Sequence, residues 1–180
     1  MDSGILMKPV ETPEDEIAFW QAKYEFFLRD VFPNNDIGSP ITEEDRAYFL
    51  SGEYRARIEA LSSRDVDRAY SAFFERDGHR IGFCQYCTYL SEDGKCFVLD
   101  FCVFPDLRCQ GLGMRCFAAL QTAEETRGAK YFALNTHCRR SMRFWEHLGF
   151  RQDGFDEYGS ALMVLPPRAE GHLGATEGAP

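Results

Sequence analysis

Six residues, Arg108-Cys109-Gln110-Gly111-Leu112-Gly113, carry the pattern from which chemistry is read most directly. They follow an apolar run, Cys96 to Val103, and precede a helix-like segment, Met114 to Arg127. A strand, a glycine-containing turn and a helix start in that order make an anion site. The first backbone N–H groups of a helix lack partners within it and sit at the positive end of its dipole. Gly111 and Gly113 have no Cβ, so backbone there can approach a phosphate closely. The turn is therefore expected to hold a phosphate-bearing cofactor. It is not a Walker loop, because no Gly-Lys-Ser/Thr occurs. Nor is it a dinucleotide fingerprint: the third glycine position holds Cys116, and the motif lies past mid-chain. Asp100 is the second residue of interest, an acid interrupting the apolar strand just before the turn.

The elements that must position these residues follow from periodicity and breakers. Ile5-Leu6-Met7 reads as a short strand ended near Pro9. Thr12-Pro13-Glu14-Asp15 is a helix start, with an N-cap, a proline at the first position and acids in the first turn. Ile17, Trp20, Tyr24, Phe27, Leu28 and Val31 continue at helical spacing until Pro33-Asn34-Asn35. Thr42-Glu43-Glu44-Asp45 starts a second helical stretch, interrupted at Ser51-Gly52. Strands 69–74 and 80–89 flank Asp77-Gly78, a hairpin signal, and Asp93-Gly94 leads into strand 96–103. Helix 114–127 ends at Gly128, and 130–135 is a strand, so 96–135 forms a βαβ unit. Helix 140–148 stops at Gly149, and strands 150–156 and 161–165 close a hairpin around Tyr158-Gly159. One domain over 1–166 is expected. Residues 167–180, aperiodic and rich in Gly, Ala, Glu and Pro, read as a mobile tail.

Composition narrows the function classes. The chain has 180 residues, enough for one domain, and 16 Phe with 8 Tyr predict a dense core. A formal charge of −9 argues against nucleic acid, which calls for a basic footprint, and permits a cationic substrate. No apolar run reaches the roughly 18 residues of a membrane span, so no membrane partner is expected. Met1-Asp2-Ser3-Gly4 lacks the start of a signal peptide, and the expected location is cytoplasmic. Cys84 and Cys87 lie in a strand, where positions i and i+3 face opposite sides. No second Cys-x-x-Cys or His pair lies at zinc-like spacing, so no metal is expected and the seven cysteines read as reduced packing thiols.

Arg108-x-x-Gly111-x-Gly113 after Val103-Phe104-Pro105 resembles the acyl-CoA signature of the GNAT family of N-acetyltransferases, Arg/Gln-x-x-Gly-x-Gly/Ala after Val-x-Pro. One βαβ unit later, Ser141-Met142-Arg143-Phe144-Trp145-Glu146-His147-Leu148-Gly149-Phe150 resembles the family's Ala-x-x-Phe-Tyr-x-x-Leu-Gly-Phe. The element order over residues 5–165 is similar to the family's, and no particular member is indicated. The resemblance implies an α/β (α+β) fold: a mixed, mostly antiparallel sheet of about seven strands with helices on both faces. It also implies acetyl transfer from acetyl-CoA to a primary amine, small molecule or peptide, by direct attack. The pyrophosphate would lie on the amides of Cys109, Gln110, Gly111, Leu112, Gly113 and Met114, with Arg108 adding charge or pinning the turn. The pantetheine arm would pair with the backbone of Phe101, Cys102 and Val103, one of whose amides would polarise the thioester carbonyl. Cys138 and Ser141, at the start of the last helix, would lie beside that arm. Arg139 and Arg140 reach a CoA phosphate or stand solvated. A homodimer is expected by analogy of fold alone.

An amine must lose a proton before it attacks. Asp100 is the candidate base, with burial raising its pKa toward a useful range; the plain alternative is a carboxylate paired with an arginine or placed at the substrate mouth. Glu157 is a second acid, near the last hairpin, on the substrate side. Asn135, ending its strand, binds substrate or water, or makes a local turn bond. The family's proton-donating tyrosine is replaced by Trp145, and its asparagine before the last helix by Cys138. Tyr158 is the candidate substitute acid, although a thiol pKa near roughly 8.5 lets the thiolate leave unaided. Cys102 and Cys109 are candidates for oxidation. A His137/Cys138 nucleophile pair is disfavoured, because neighbours on an extended chain diverge. The competing reading is an acyl-CoA-binding module without turnover; the plainest is an α/β domain that binds no CoA.

Overall fold

A computed structural model of the chain describes residues 4–167. The expected mobile tail therefore lies, from residue 168 on, outside the described residues. Seven strands form one sheet: β1 Leu6–Pro9, β2 Ala69–Arg76, β3 His79–Tyr89, β4 Lys95–Val103, β5 Tyr131–Thr136, β6 Arg151–Phe155 and β7 Ala161–Leu165. Their order is β1-β2-β3-β4-β5-β7-β6, and every pairing is antiparallel except β4 with β5. That parallel pair is the one joined through a helix, α4 Leu112–Arg127, because parallel neighbours need a crossover. The other helices are α1 Pro13–Phe26, α2 Glu43–Phe49, α3 Gly52–Ser62 and α5 Arg139–His147. Among the described residues, no helix is long and apolar enough to cross a membrane.

The caps form as the sequence dictates. Thr12 accepts from the Asp15 amide, Thr42 and Asp45 make a reciprocal capping box, and Gly128 closes α4 at φ 111°. The interruption at Ser51-Gly52 separates α2 from α3, with Ser51 capping α3. Two of the boundaries that differ from expectation bear on the site. α4 begins at Leu112, two residues early, so the glycines belong to the helix start. The end of α1 widens into a π turn, Phe27–Val31, which apolar spacing alone does not reveal.

Both faces of the sheet are covered. On one, Phe19 of α1 packs with Phe73, Phe83 and Cys102. On the other, Leu112, Cys116, Phe117 and Leu120 of α4 and Trp145 of α5 pack on Phe74, Cys84, Val98 and Phe132. β4 thus alternates its side chains between the two layers. Phe101 joins the α4 layer and Cys102 the α1 layer.

Candidate active site

The site begins where two strands part. β4 and β5 are paired from Lys95↔Tyr131 to Phe97↔Ala133 and no further. On its other side β4 stays paired to β3 as far as Gly82↔Val103. Beyond Phe97, one backbone edge of β4 therefore has no strand partner toward the splay, although the Val103 carbonyl at the end of the strand accepts from Arg108 Nε. An extended, amide-bearing chain can pair with such an edge.

The splay runs into the glycine turn. Pro105–Leu107 make a short 3₁₀ turn, Cys109 takes φ 62° and Gly111 φ 73°. Gly111 is the N-cap of α4 and supplies no side-chain acceptor, so the amides of Leu112, Gly113 and Met114 lack a side-chain cap. The two glycines serve different ends. A Cβ at Gly111 would meet nothing within 4 Å; its positive φ and the open space above it are what glycine provides. A Cβ at Gly113 would lie 2.9 Å from Phe144 Cε2, so its lack of one lets α5 pack against α4.

Arg108 pins the turn. Its Nη1 and Nη2 donate to Asp30 Oδ1 and Oδ2, both at 2.7 Å, and its Nε donates to the Val103 carbonyl at 2.8 Å. This is the second of its two expected roles, with the donors committed to Asp30 and Val103.

Asp100 lies on the α1 side of β4, opposite Gln85 of β3. It pairs with Lys23 of α1, whose Nζ is 2.8 Å from Asp100 Oδ2 and fully buried. Asp100 is thus paired with a cation, a lysine where an arginine was expected. Lys23 also donates to Gln85 Oε1, and Gln85 Nε2 in turn donates to Ser71 Oγ. Its ammonium lies 5.1, 5.5 and 5.1 Å from the ring centroids of Trp20, Phe27 and Tyr54. A buried charge needs such company. Burial, and then the Asp100 carboxylate, pushes the Tyr54 phenol well above its ordinary pKa. The aromatics of the N-terminal helices divide: Trp20 and Phe27 are buried, while Tyr24, Tyr48 and Phe49 are half-buried.

Across the splay, His137 follows β5. Burial lowers its pKa, against the opposing pull of Asp156 and then Asp100, so the imidazole is neutral at pH 7. Its carbonyl accepts from the Asp36 and Ile37 amides at 3.0 Å. Asp36 Oδ1 also accepts from the Arg139 amide at 2.8 Å and so caps α5, which Cys138 does not do. The Cys138 side chain is half-buried and Ser141 follows in the first turn of α5. Asn135 makes a long-range bond rather than a local turn bond: its Nδ2 donates to Asp156 Oδ2, 21 residues on, at 3.0 Å, and Asp156 Oδ1 accepts from the Tyr158 and Ser160 amides.

Glu157 is exposed, and Tyr158 is 67% exposed at the hairpin tip, a setting that does little to present a proton donor to a sulfur. Trp145 is core, packed edge-on to Phe101, Phe117 and Phe150. All seven cysteines are free thiols. Burial pushes Cys102 up to about 11 despite Arg108, so its thiolate is scarce and oxidation there is disfavoured; Cys109 is exposed.

Sequence reasoning missed Lys23, Asp30, Asp36 and His137 as parts of this arrangement. Lys23 had a signal: it lies on the same helical stripe as Trp20 and Phe27. Asp30 had none, because the π turn shifts its phase.

The model of the acetyltransferase (GNAT) family matches residues 34–150, more than half of the chain. The chain belongs to this acetyltransferase family. Solved structures agree on the fold. Tetrahymena GCN5 superposes with a TM-score of 0.65 at 13% identity, over 91% of this chain and 96% of its own. The PaiA N-acetyltransferase of Thermoplasma acidophilum, solved with coenzyme A, gives 0.64 at 14%, over 91% and 99%. The aminoglycoside acetyltransferase AAC(6')-Ib, also solved with coenzyme A, gives 0.58 at 18%, over 91% and 95%. No curated protein sequence matches the chain. The GNAT chain is thus an acyltransferase, with the family's seven-stranded sheet and helices on both faces.

Proposed function

We propose that this GNAT enzyme transfers the acetyl group of acetyl-CoA to a primary amine, small molecule or peptide, by direct attack. The observation that carries this is the continuity of the open β4 edge with the uncapped start of α4. The pyrophosphate sits on the amides of Leu112, Gly113 and Met114, with Cys109, Gln110 and Gly111 beneath it. The pantetheine arm pairs with β4 along Phe101, Cys102 and Val103, passing Cys138 and Ser141 at the α5 start. The coenzyme A complexes of the two related structures support this cofactor.

In the transfer, the amine lone pair attacks the thioester carbonyl carbon, the C–N bond forms and the C–S bond breaks. The amine proton passes to Asp100, whose Oδ2 is held by Lys23, directly or through a water. Neutral His137 across the splay is a second acceptor for it. The thiolate leaves unaided and takes a proton from solvent. Asn135 and Glu157 stand on the acceptor side, Asn135 through Asp156.

The test is mass detection of acetylated product after incubation with acetyl-CoA and four amine classes: a polyamine, an aminoglycoside, an amino acid and a peptide N-terminus. One class should be acetylated. Asp100→Asn should cut turnover at least a hundredfold while sparing acetyl-CoA affinity, and an unchanged rate at all pH values would remove Asp100. Acetyl-CoA binding with no acetylated amine of any class would favour the acyl-CoA-binding module instead.

A further inference from the structure

The end of α1 and the glycine turn are joined by one ion pair. α1 ends in the π turn Phe27–Val31, whose wider coil rotates the last residues of the helix about its axis. The residue delivered by that rotation is Asp30. Its two carboxylate oxygens meet the two terminal nitrogens of Arg108 at 2.7 Å each, the bidentate fit of a planar guanidinium to a carboxylate. Arg29 adds two more donors to Oδ2, Nη2 at 3.0 Å and Nε at 3.2 Å. The side chains of Arg108 and Asp30 are 26% and 19% exposed, so water screens this pair less than a surface one.

What the pair holds is a strained piece of backbone. Cys109, directly after Arg108, has φ 62°, and Gly111 has φ 73°. A non-glycine residue at positive φ persists only where its surroundings fix it. The Arg108 Nε bond to the Val103 carbonyl fixes one end of the segment and Asp30 fixes the guanidinium itself. Without Asp30, Arg108 loses the two bonds to that carboxylate, keeps its Nε bond to Val103, and the turn relaxes. Cofactor binding then has to restore its shape, which lowers the apparent affinity.

We propose that Asp30 is a positioning residue for the acyl-CoA turn: through Arg108 it holds residues 108–113 in the binding conformation before the cofactor arrives. This links the packing of α1 to cofactor affinity. The inference rests on the acetyl-CoA reading of the turn.

The test is the dissociation constant of acetyl-CoA by titration calorimetry for the native chain, Asp30→Asn and Asp30→Glu. Thermal unfolding is recorded alongside. Asp30→Asn should weaken acetyl-CoA at least tenfold. Asp30→Glu, which keeps the carboxylate one methylene out of place and serves if the asparagine variant does not fold, should lie between. With a responsive amine in hand, KM for acetyl-CoA should rise far more than kcat falls. A purely structural role predicts a lower melting temperature with affinity unchanged. Native binding with folded variants within twofold of it overturns the inference alone. If the native chain has no affinity for acetyl-CoA, the cofactor reading fails and takes this inference with it.

Discussion

Replacing Lys23 by methionine removes a charge and little volume, which makes its effect calculable. Methionine fills the same space between Trp20, Phe27 and Tyr54, so no large cavity opens. What is lost is the only cation within ion-pair distance of Asp100 among the described residues, together with the donor to Gln85 Oε1. Asp100 is then left about one-tenth exposed and unpaired. Breaking a buried pair by removing one partner costs about 3–5 kcal/mol, because the other charge stays behind desolvated. For a chain of this size, that lowers the melting temperature by roughly 6–20 °C. Lys23→Met with Asp100→Asn removes both charges and should recover at least half of the loss. Urea unfolding of native, single and double variants gives the coupling directly. A single variant within about 1 kcal/mol of native, or a double variant no more stable than the single, would refute the reasoning.

Other outcomes rest on the same geometry. Gly111→Trp should abolish acetyl-CoA binding in calorimetry, since its side chain enters the open space above the turn, and the left-handed φ should cost about 1–2 kcal/mol of stability in urea. Gly113→Ala should instead act by pushing Phe144 off α4, read as a larger loss of stability than of affinity. The folded chain holds Cys102 as a thiol to about pH 11, while the unfolded chain ionises it near 9. Stability should therefore be whole below pH 9 and fall as pH rises toward 11, by roughly 2–3 kcal/mol from this residue. Cys102→Ser should flatten that part of the urea-unfolding pH profile. His137 works in the other direction: its lowered pKa means stability is whole above about pH 6.5 and declines as pH falls through its folded value. His137→Gln should remove that decline.

Local signals reported local structure well. Thr12-Pro13, Thr42 with Asp45, Asp77-Gly78 and Gly128 all do what their types require, since each acts within a turn of chain. The strand–turn–helix at 96–127 was legible for the same reason. The partners that arrive from far away in sequence were not. Asp30 reaches Arg108 across 78 positions and Asp36 reaches Arg139 across 103, and no periodicity encodes such contacts. Asp100 was legible as an acid needing a reason. The reason, a lysine on the apolar stripe of α1, requires knowing that α1 crosses β4. The packing role of Gly113 was not legible, because a glycine tolerated by a phosphate and a glycine demanded by Phe144 look the same in sequence.

The central claim is that the β4 splay and the α4 start hold acetyl-CoA, and thermal unfolding with and without it tests that most directly. At about a hundred times its dissociation constant the cofactor adds about 2.7 kcal/mol, a rise of roughly 5–10 °C for a chain this size. The account predicts that rise for the native protein, its absence in Gly111→Trp, and none with ATP. No shift of the native protein at saturating acetyl-CoA would contradict it.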